Sequence, residues 1–222
     1  MRLTCLIVLL AACLARAQSP ATQSTATDAV TPRGALRVFA AAVRAGDAAA
    51  VRRCLHAVTE AEKQLADAMA SSAAAAATLR RSWGARYGED ASRRLDAESS
   101  KPGRLEAARE SIDGDAAAVE LPTTGPSAST VRLVRVDGLW RIPVTDLLGG
   151  EDPENVGRLV PTMRSMARIM NEVADEIAAD KYRTFEAARD TMRLRLREAA
   201  AVHAVEPTAP ATRPAPATGE AR

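Results

Sequence analysis

The chain has 222 residues, with 30 Lys and Arg against 28 Asp and Glu, 47% hydrophobic residues and only 3% aromatic ones. That length supports one domain of ordinary size with an appendage, and the near balance of charge removes the electrostatic case for a nucleic-acid or anionic-membrane partner. A core drawn from Ala, Val and Leu packs its elements closely but buries less area per residue than an aromatic-rich one.

The N-terminus reads as an export signal. Arg2 gives a minimal positive start, residues 3–14 form an uncharged apolar run, and Ala15-Arg16-Ala17 presents small residues around a cleavage point. The run is shorter than the roughly 20 residues needed to span a bilayer. Cleavage after Ala17 makes residues 1–17 a signal peptide and Gln18 the new N-terminus, and predicts a periplasmic or secreted protein. Leu10-Ala11-Ala12-Cys13 offers the alternative of a bacterial lipobox, with Cys13 lipidated and the chain tethered. Either route leaves residues 18–31, rich in Ala, Thr and Ser, as a flexible linker. Loss of residues 1–17 removes Arg2 and Arg16 and no acid, so the remainder is formally neutral. It also removes Cys5 and Cys13 and leaves Cys54 as the single thiol. Cys54 shares a helical face with Val51, Leu55 and Val58, where burial is expected.

Three helices follow in series. Thr31-Pro32 is an N-cap with proline at the first helical position, and Leu36, Phe39 and Val43 mark one face up to a stop at Gly46. Asp47 caps a second helix carrying Val51, Leu55 and Val58. Thr59-Glu60-Ala61-Glu62 fits a capping box that opens a third, whose apolar side is Leu65, Met69 and Leu79 and whose end falls at Gly84. Residues 89–110 are polar, with a short helix placed at 91–97 and a turn at Pro102-Gly103.

Strands and turns come next. Ser111-Ile112 leads into an Asp113-Gly114 turn and a strand over 116–121. After a loop at 122–129, residues 131–136 and 139–144 flank Asp137-Gly138 as a hairpin. A two-residue turn sets Val136 opposite Leu139, Arg135 opposite Trp140, Leu133 opposite Ile142 and Val131 opposite Val144. Val131, Leu133, Trp140, Ile142 and Val144 then form one apolar surface, and Arg135 reaches over Trp140. The other face, with Arg132, Val134, Arg141 and Pro143, is more polar.

Residues 147–153 mark a boundary before a helical hairpin over 154–204. Met163, Met166, Met170, Val173 and Ile177 line its first helix as a short heptad seam; Phe185, Ala188, Met192, Leu196 and Ala199 line its second. Residues 180–183 connect the two. Residues 205–222 are a Pro- and Ala-rich tail with the composition of a disordered segment.

Residues 35–47 (Ala-Leu-Arg-Val-Phe through Arg44-Ala45-Gly46-Asp47) resemble the opening helix and Gly-Asp break of the nuclear-transport-factor-two-like superfamily. Residues 113–119 are similar to its first long strand pair and residues 134–142 to its final hairpin, where an aromatic follows the Asp-Gly turn. The resemblance covers 32–148. It implies an α+β domain over 32–150, with three N-terminal helices packed on a curved, cone-like antiparallel sheet and with the C-terminal helices as an extension. It says little about activity, because the superfamily, with its ketosteroid isomerase, SnoaL-like cyclase and scytalone dehydratase branches, holds enzymes and non-enzymes on one frame.

The chemistry-bearing residues do not assemble into a motif. The family's enzymes place a carboxylate or His at the floor of the cone, yet His56 and His203 lack a carboxylate at dyad spacing, and Asp113, Asp115 and Asp137 sit in turns with Gly. The sequence contains no HExxH, CxxC, phosphate loop or GxSxG. Arg193, Arg195 and Arg197 alternate with Glu186, Asp190 and Glu198 as a salt-bridged, solvated face. No catalytic, cofactor-binding or metal residue is assigned and no cofactor is expected. Trp83, Tyr87, Leu133, Trp140 and Ile142 are the candidates for lining a pocket. The expectation is an exported non-catalytic domain that binds a small ligand or an envelope protein. An isomerase, dehydratase or cyclase acting in the cone, and a scaffold or homodimer joined through the Met-rich C-terminal helices, are the alternatives.

Overall fold

The computed structural model describes residues 29–91, 105–122, 129–147 and 153–204. The expected signal peptide, the alternative lipobox at Cys13, most of the expected linker, the helix placed at 91–97 beyond Ala91, the turn expected at Pro102-Gly103, residues 123–128 and the expected tail at 205–222 lie outside the described residues.

Local capping chemistry starts each of the first three helices. In α1 (Pro32–Ala45), Thr31 Oγ1 accepts from the Gly34 N–H at 3.0 Å, and Gly46 closes the helix at φ +71°. In α2 (Ala48–Cys54), Asp47 accepts from the Ala50 N–H at 2.9 Å. In α3 (Glu60–Tyr87), Thr59 and Glu62 satisfy each other's backbone N–H groups in a full capping box. Two sequence expectations shift here. The second helix ends at Cys54, and Leu55–His56 form the short strand β1, so Val58 leaves the apolar face and is 66% exposed. The third helix runs through Gly84 to Tyr87 and stops at Gly88. Burial of Trp83 and Tyr87 against a later helix outweighs the roughly 1 kcal/mol that Gly84 costs in a helix interior.

The strands β2 (Arg109–Asp113), β3 (Ala116–Leu121), β4 (Ser129–Val136) and β5 (Leu139–Pro143) are antiparallel neighbours, and β1 pairs parallel with β5. The sheet order is β1-β5-β4-β3-β2, so the sheet is mixed and not wholly antiparallel. The β2–β3 turn is Gly114-Asp115, one residue later than expected, because Asp113 pairs with Ala116. That register turns Ala117 and Val119 into the core. At the last hairpin the expected register holds: Val136 faces Leu139, Arg135 faces Trp140 and Val134 faces Arg141. Asp137 and Gly138 both take positive φ, +53° and +78°, the requirement of a tight turn matched to sheet twist.

The last strand ends earlier than expected. Pro143 closes β5, and Val144–Leu147 form a short helix, α4. Pro143 has no N–H to extend the ladder. At that end of β4, the Arg132 N–H donates to the Asp146 carboxylate at 2.5 Å, so the side chain of α4 stands in for a strand.

One long helix, α5 (Pro153–Ala178), lies along α3, and α6 (Phe185–Ala204) folds back on it. The Ser72 hydroxyl, buried between the two long helices, reaches the Ala68 and Met163 carbonyls at 2.9 and 3.1 Å. Val156, Val160 and Met163 share one core with α1, α2, the sheet and the first half of α3. Leu79, Trp83, Ile169, Val173, Ile177 and Ala188 form a second cluster at the hairpin end. The Met163–Ile177 seam is therefore covered by the chain's own helices.

Candidate functional site

The alternation read from the last hairpin places Leu133, Trp140 and Ile142 on the inner face of the sheet, and they are 1%, 4% and 0% exposed. They pack in one cluster with Leu65, Met69 and Met163, contributed by α3 and α5. Ala117 and Val119 of β3 and Val131 of β4 complete the layer. Two ionisable groups of the sheet strands have partners of their own. Glu110 binds Arg33, with Oε1 at 3.0 Å from Nε and accepting from the Arg33 N–H at 3.1 Å. Arg135 is exposed, and its Nε donates to the Gly138 carbonyl at 3.5 Å.

Trp83 and Tyr87 are some way from that layer, in the second cluster. Phe185 packs between them, its ring centroid 5.5 Å from Trp83 and 6.2 Å from Tyr87. The Tyr87 hydroxyl donates to the Tyr182 carbonyl at 3.2 Å. The five candidate lining residues are thus divided between two packed clusters rather than brought together around one space. An open groove of about 400 Å³ runs beside the second cluster, lined by Arg81, Ser82, Ala85, Arg86, Ile177 and Asp180 among others. Arg86 Nε and Asp180 Oδ1 lie 2.7 Å apart in its wall.

The most developed polar cluster was not legible as a site in the sequence. Glu176 of α5 accepts from the Tyr182 hydroxyl at 2.5 Å. The two terminal nitrogens of Arg195, on α6, grip its two carboxylate oxygens at 3.0 and 3.2 Å. Lys181 adds a contact at 3.4 Å. Together the tyrosine, the guanidinium fork and the lysine hold the Glu176 carboxyl down at about 2. Burial and the neighbouring carboxylate push Tyr182 upward. A carboxylate that weakly basic is a poor proton acceptor near neutral pH, so the cluster latches the hairpin rather than moving protons. The sequence suggested that Arg195 pairs along its own helix; it pairs across to Glu176 and Glu172 of α5 instead. That register depends on the geometry of the Ala179–Thr184 connection.

Cys54 is buried, as its helical face predicted, and burial pushes its thiol up to about 11. His56 lies in β1, opposite Pro143 of β5, and His203 lies in the last turn of α6. Asp137 sits in its turn, 3.4 Å from Arg141 Nη2. Among the described residues no group of three His, Cys, Asp or Glu side chains is placed to hold a metal ion, and no helix is long and apolar enough to cross a membrane. Comparison with protein-family models, with curated proteins and with solved structures gives no match to this chain.

Proposed function

We propose that the chain is an exported, non-catalytic binding domain on a cone-like frame of the nuclear-transport-factor-two type, and that it engages a protein of the cell envelope through its surface. The observation that carries this reading is the packed inner sheet face. Leu133, Trp140 and Ile142 are buried in one core with residues of α3 and α5, where a ligand pocket would need open space. The opposite face, with Arg132, Val134 and Arg141, is exposed or half-buried. Export rests on residues 1–17, with lipidation at Cys13 as the other route.

Two measurements test the proposal. Titration with an apolar dye, read by tryptophan fluorescence, is expected to show no saturable site. Stoichiometric binding competed by a small carbonyl compound would instead favour an isomerase, dehydratase or cyclase. A photocrosslinker at Arg132 or Arg141 in the producing cell is expected to give a discrete adduct with another envelope protein. Monomer alone from both positions would count against a partner on that face.

A further inference from the structure

At the other end of the sheet from β1, strand β2 has a neighbour on one side only among the described residues. All five of its residues are exposed, and Ile112 is 57% exposed although it lies on the core side of the strand. Natural sheets blunt such an edge with proline, a bulge or charged side chains, lysine and inward-pointing charges above all. Arg109-Glu110-Ser111-Ile112-Asp113 contains no lysine or proline, and its register against β3 runs without a bulge. The single inward charge, Glu110, is engaged by Arg33.

We infer that β2 is a self-complementary edge that pairs antiparallel with β2 of a second copy about a twofold axis at Ser111, joining two sheets into one. The backbone is arranged for it. Asp113 and Ala116 flank a two-residue turn and so exchange both of their hydrogen bonds, and Ser111 with Ala118 and Arg109 with Glu120 follow by alternation. The N–H and C=O groups of Glu110 and Ile112 therefore point to the open edge. With Ser111 on the axis, Glu110 of one copy meets Ile112 of the other, twice, which makes four backbone hydrogen bonds.

The side chains agree with the same register. Arg109 falls opposite Asp113 of the second copy, twice, at the pairs where side chains come closest. The two exposed Ile112 side chains become diagonal neighbours on the core side and cover each other. A shift of one residue sets Arg109 opposite no acid and loses both charge pairs. The strand is short, so the association is weak and depends on concentration. It involves an edge separate from the sheet face proposed for an envelope partner, and either can exist without the other.

Sedimentation velocity of the full chain over a concentration series is expected to show a reversible monomer–dimer equilibrium. Arg109→Asp and Asp113→Arg each set like charges opposite one another, and each is expected to weaken dimerisation roughly tenfold. The double variant Arg109→Asp/Asp113→Arg restores both pairs and is expected within about threefold of the parent. A double variant as weak as the singles would overturn the register. Ser111→Cys tests it without a charge change, because the axis brings its Cα to about 4.5 Å from its copy, within disulfide reach. Under mild oxidant it should yield more covalent dimer than the parent, whereas Ile112→Cys, on a diagonal, should not. A chain that stays monomeric to about 1 mM, with no added crosslink at Ser111→Cys, would refute the pairing. So would protection of the Glu110 and Ile112 amides that is independent of concentration, which would assign the edge to a segment of the same chain.

Discussion

Replacing Gly46 by Ala probes how closely the α1–α2 corner sits on α3. Gly46 holds φ +71°, and its N–H and that of Asp47 close α1 on the Val43 and Ala42 carbonyls at 3.2 and 3.0 Å. A Cβ added there would lie 2.4 Å from Ala77 Cβ, on a buried turn of a long helix that cannot swing aside. The left-handed backbone alone costs a non-glycine residue about 1–2 kcal/mol. Forcing a methyl into a packed contact adds roughly 1–3 kcal/mol, so Gly46→Ala should cost about 2–5 kcal/mol. Gly138 is the control: its φ is +78°, but nothing lies within 4 Å of an added Cβ, so Gly138→Ala should cost only the backbone part, about 1–2 kcal/mol. Urea unfolding at constant m-value reads both. Adding Ala77→Gly to Gly46→Ala removes the clash, so the double variant should be more stable than the sum of the singles by about 1–3 kcal/mol. Equal losses for Gly46→Ala and Gly138→Ala, with additivity in the double variant, would refute the close approach.

Other outcomes follow from single interactions. Thr59→Ala removes the hydroxyl of the capping box and should cost about 1 kcal/mol in the same unfolding assay. The Glu176 carboxyl titrates lower in the folded state than in the unfolded chain. The latch is therefore complete above about pH 4.5 and is lost as pH falls toward about 2; tyrosine absorbance or near-ultraviolet dichroism should change across that window, and Glu176→Gln should remove the change. Cys54 titrates in the opposite sense. Its raised folded value favours the thiol, so the stability it contributes is present below about pH 9 and lost as pH rises toward about 11. At pH 8 the folded protein should react with a thiol reagent many times more slowly than the urea-unfolded chain. Met163→Ala should cost about 2–5 kcal/mol because its side chain is buried in the core that α5 shares with the sheet and α3; no loss would place that side chain outside the core.

Features written locally in the chain were legible in it. Thr31, Asp47 and Thr59 each act within three residues of themselves, and all three begin the helices they predicted. The Asp137-Gly138 turn fixed the register of its hairpin because both residues accept positive φ. Features decided by distant neighbours were not. β1 is two residues long and exists because β5 runs alongside it, so no periodicity announces it. Gly84 stays helical because Trp83 and Tyr87 meet Phe185, a residue on another element. The alternation of Leu133, Trp140 and Ile142 named the inner face correctly, but whether that face is open or filled depends on α3 and α5. Arg195 and Glu176 become partners only when the hairpin folds back.

The packing of α3 against α5 has a consequence for the order of events during synthesis. Ser72 meets Met163 across 91 residues, and Tyr87 meets Tyr182 across 95. At roughly 5–20 residues per second, α3 exists for several seconds before its main partner has been made. For that interval the face destined for α5 has only water or a chaperone beside it. An Ala-rich helix suits the delay: runs such as Ala73–Ala77 hold helical structure by propensity and expose little adhesive surface while they wait. The small side chains that limit the core's hydrophobic yield thus also lower the risk of aggregation in the half-made chain.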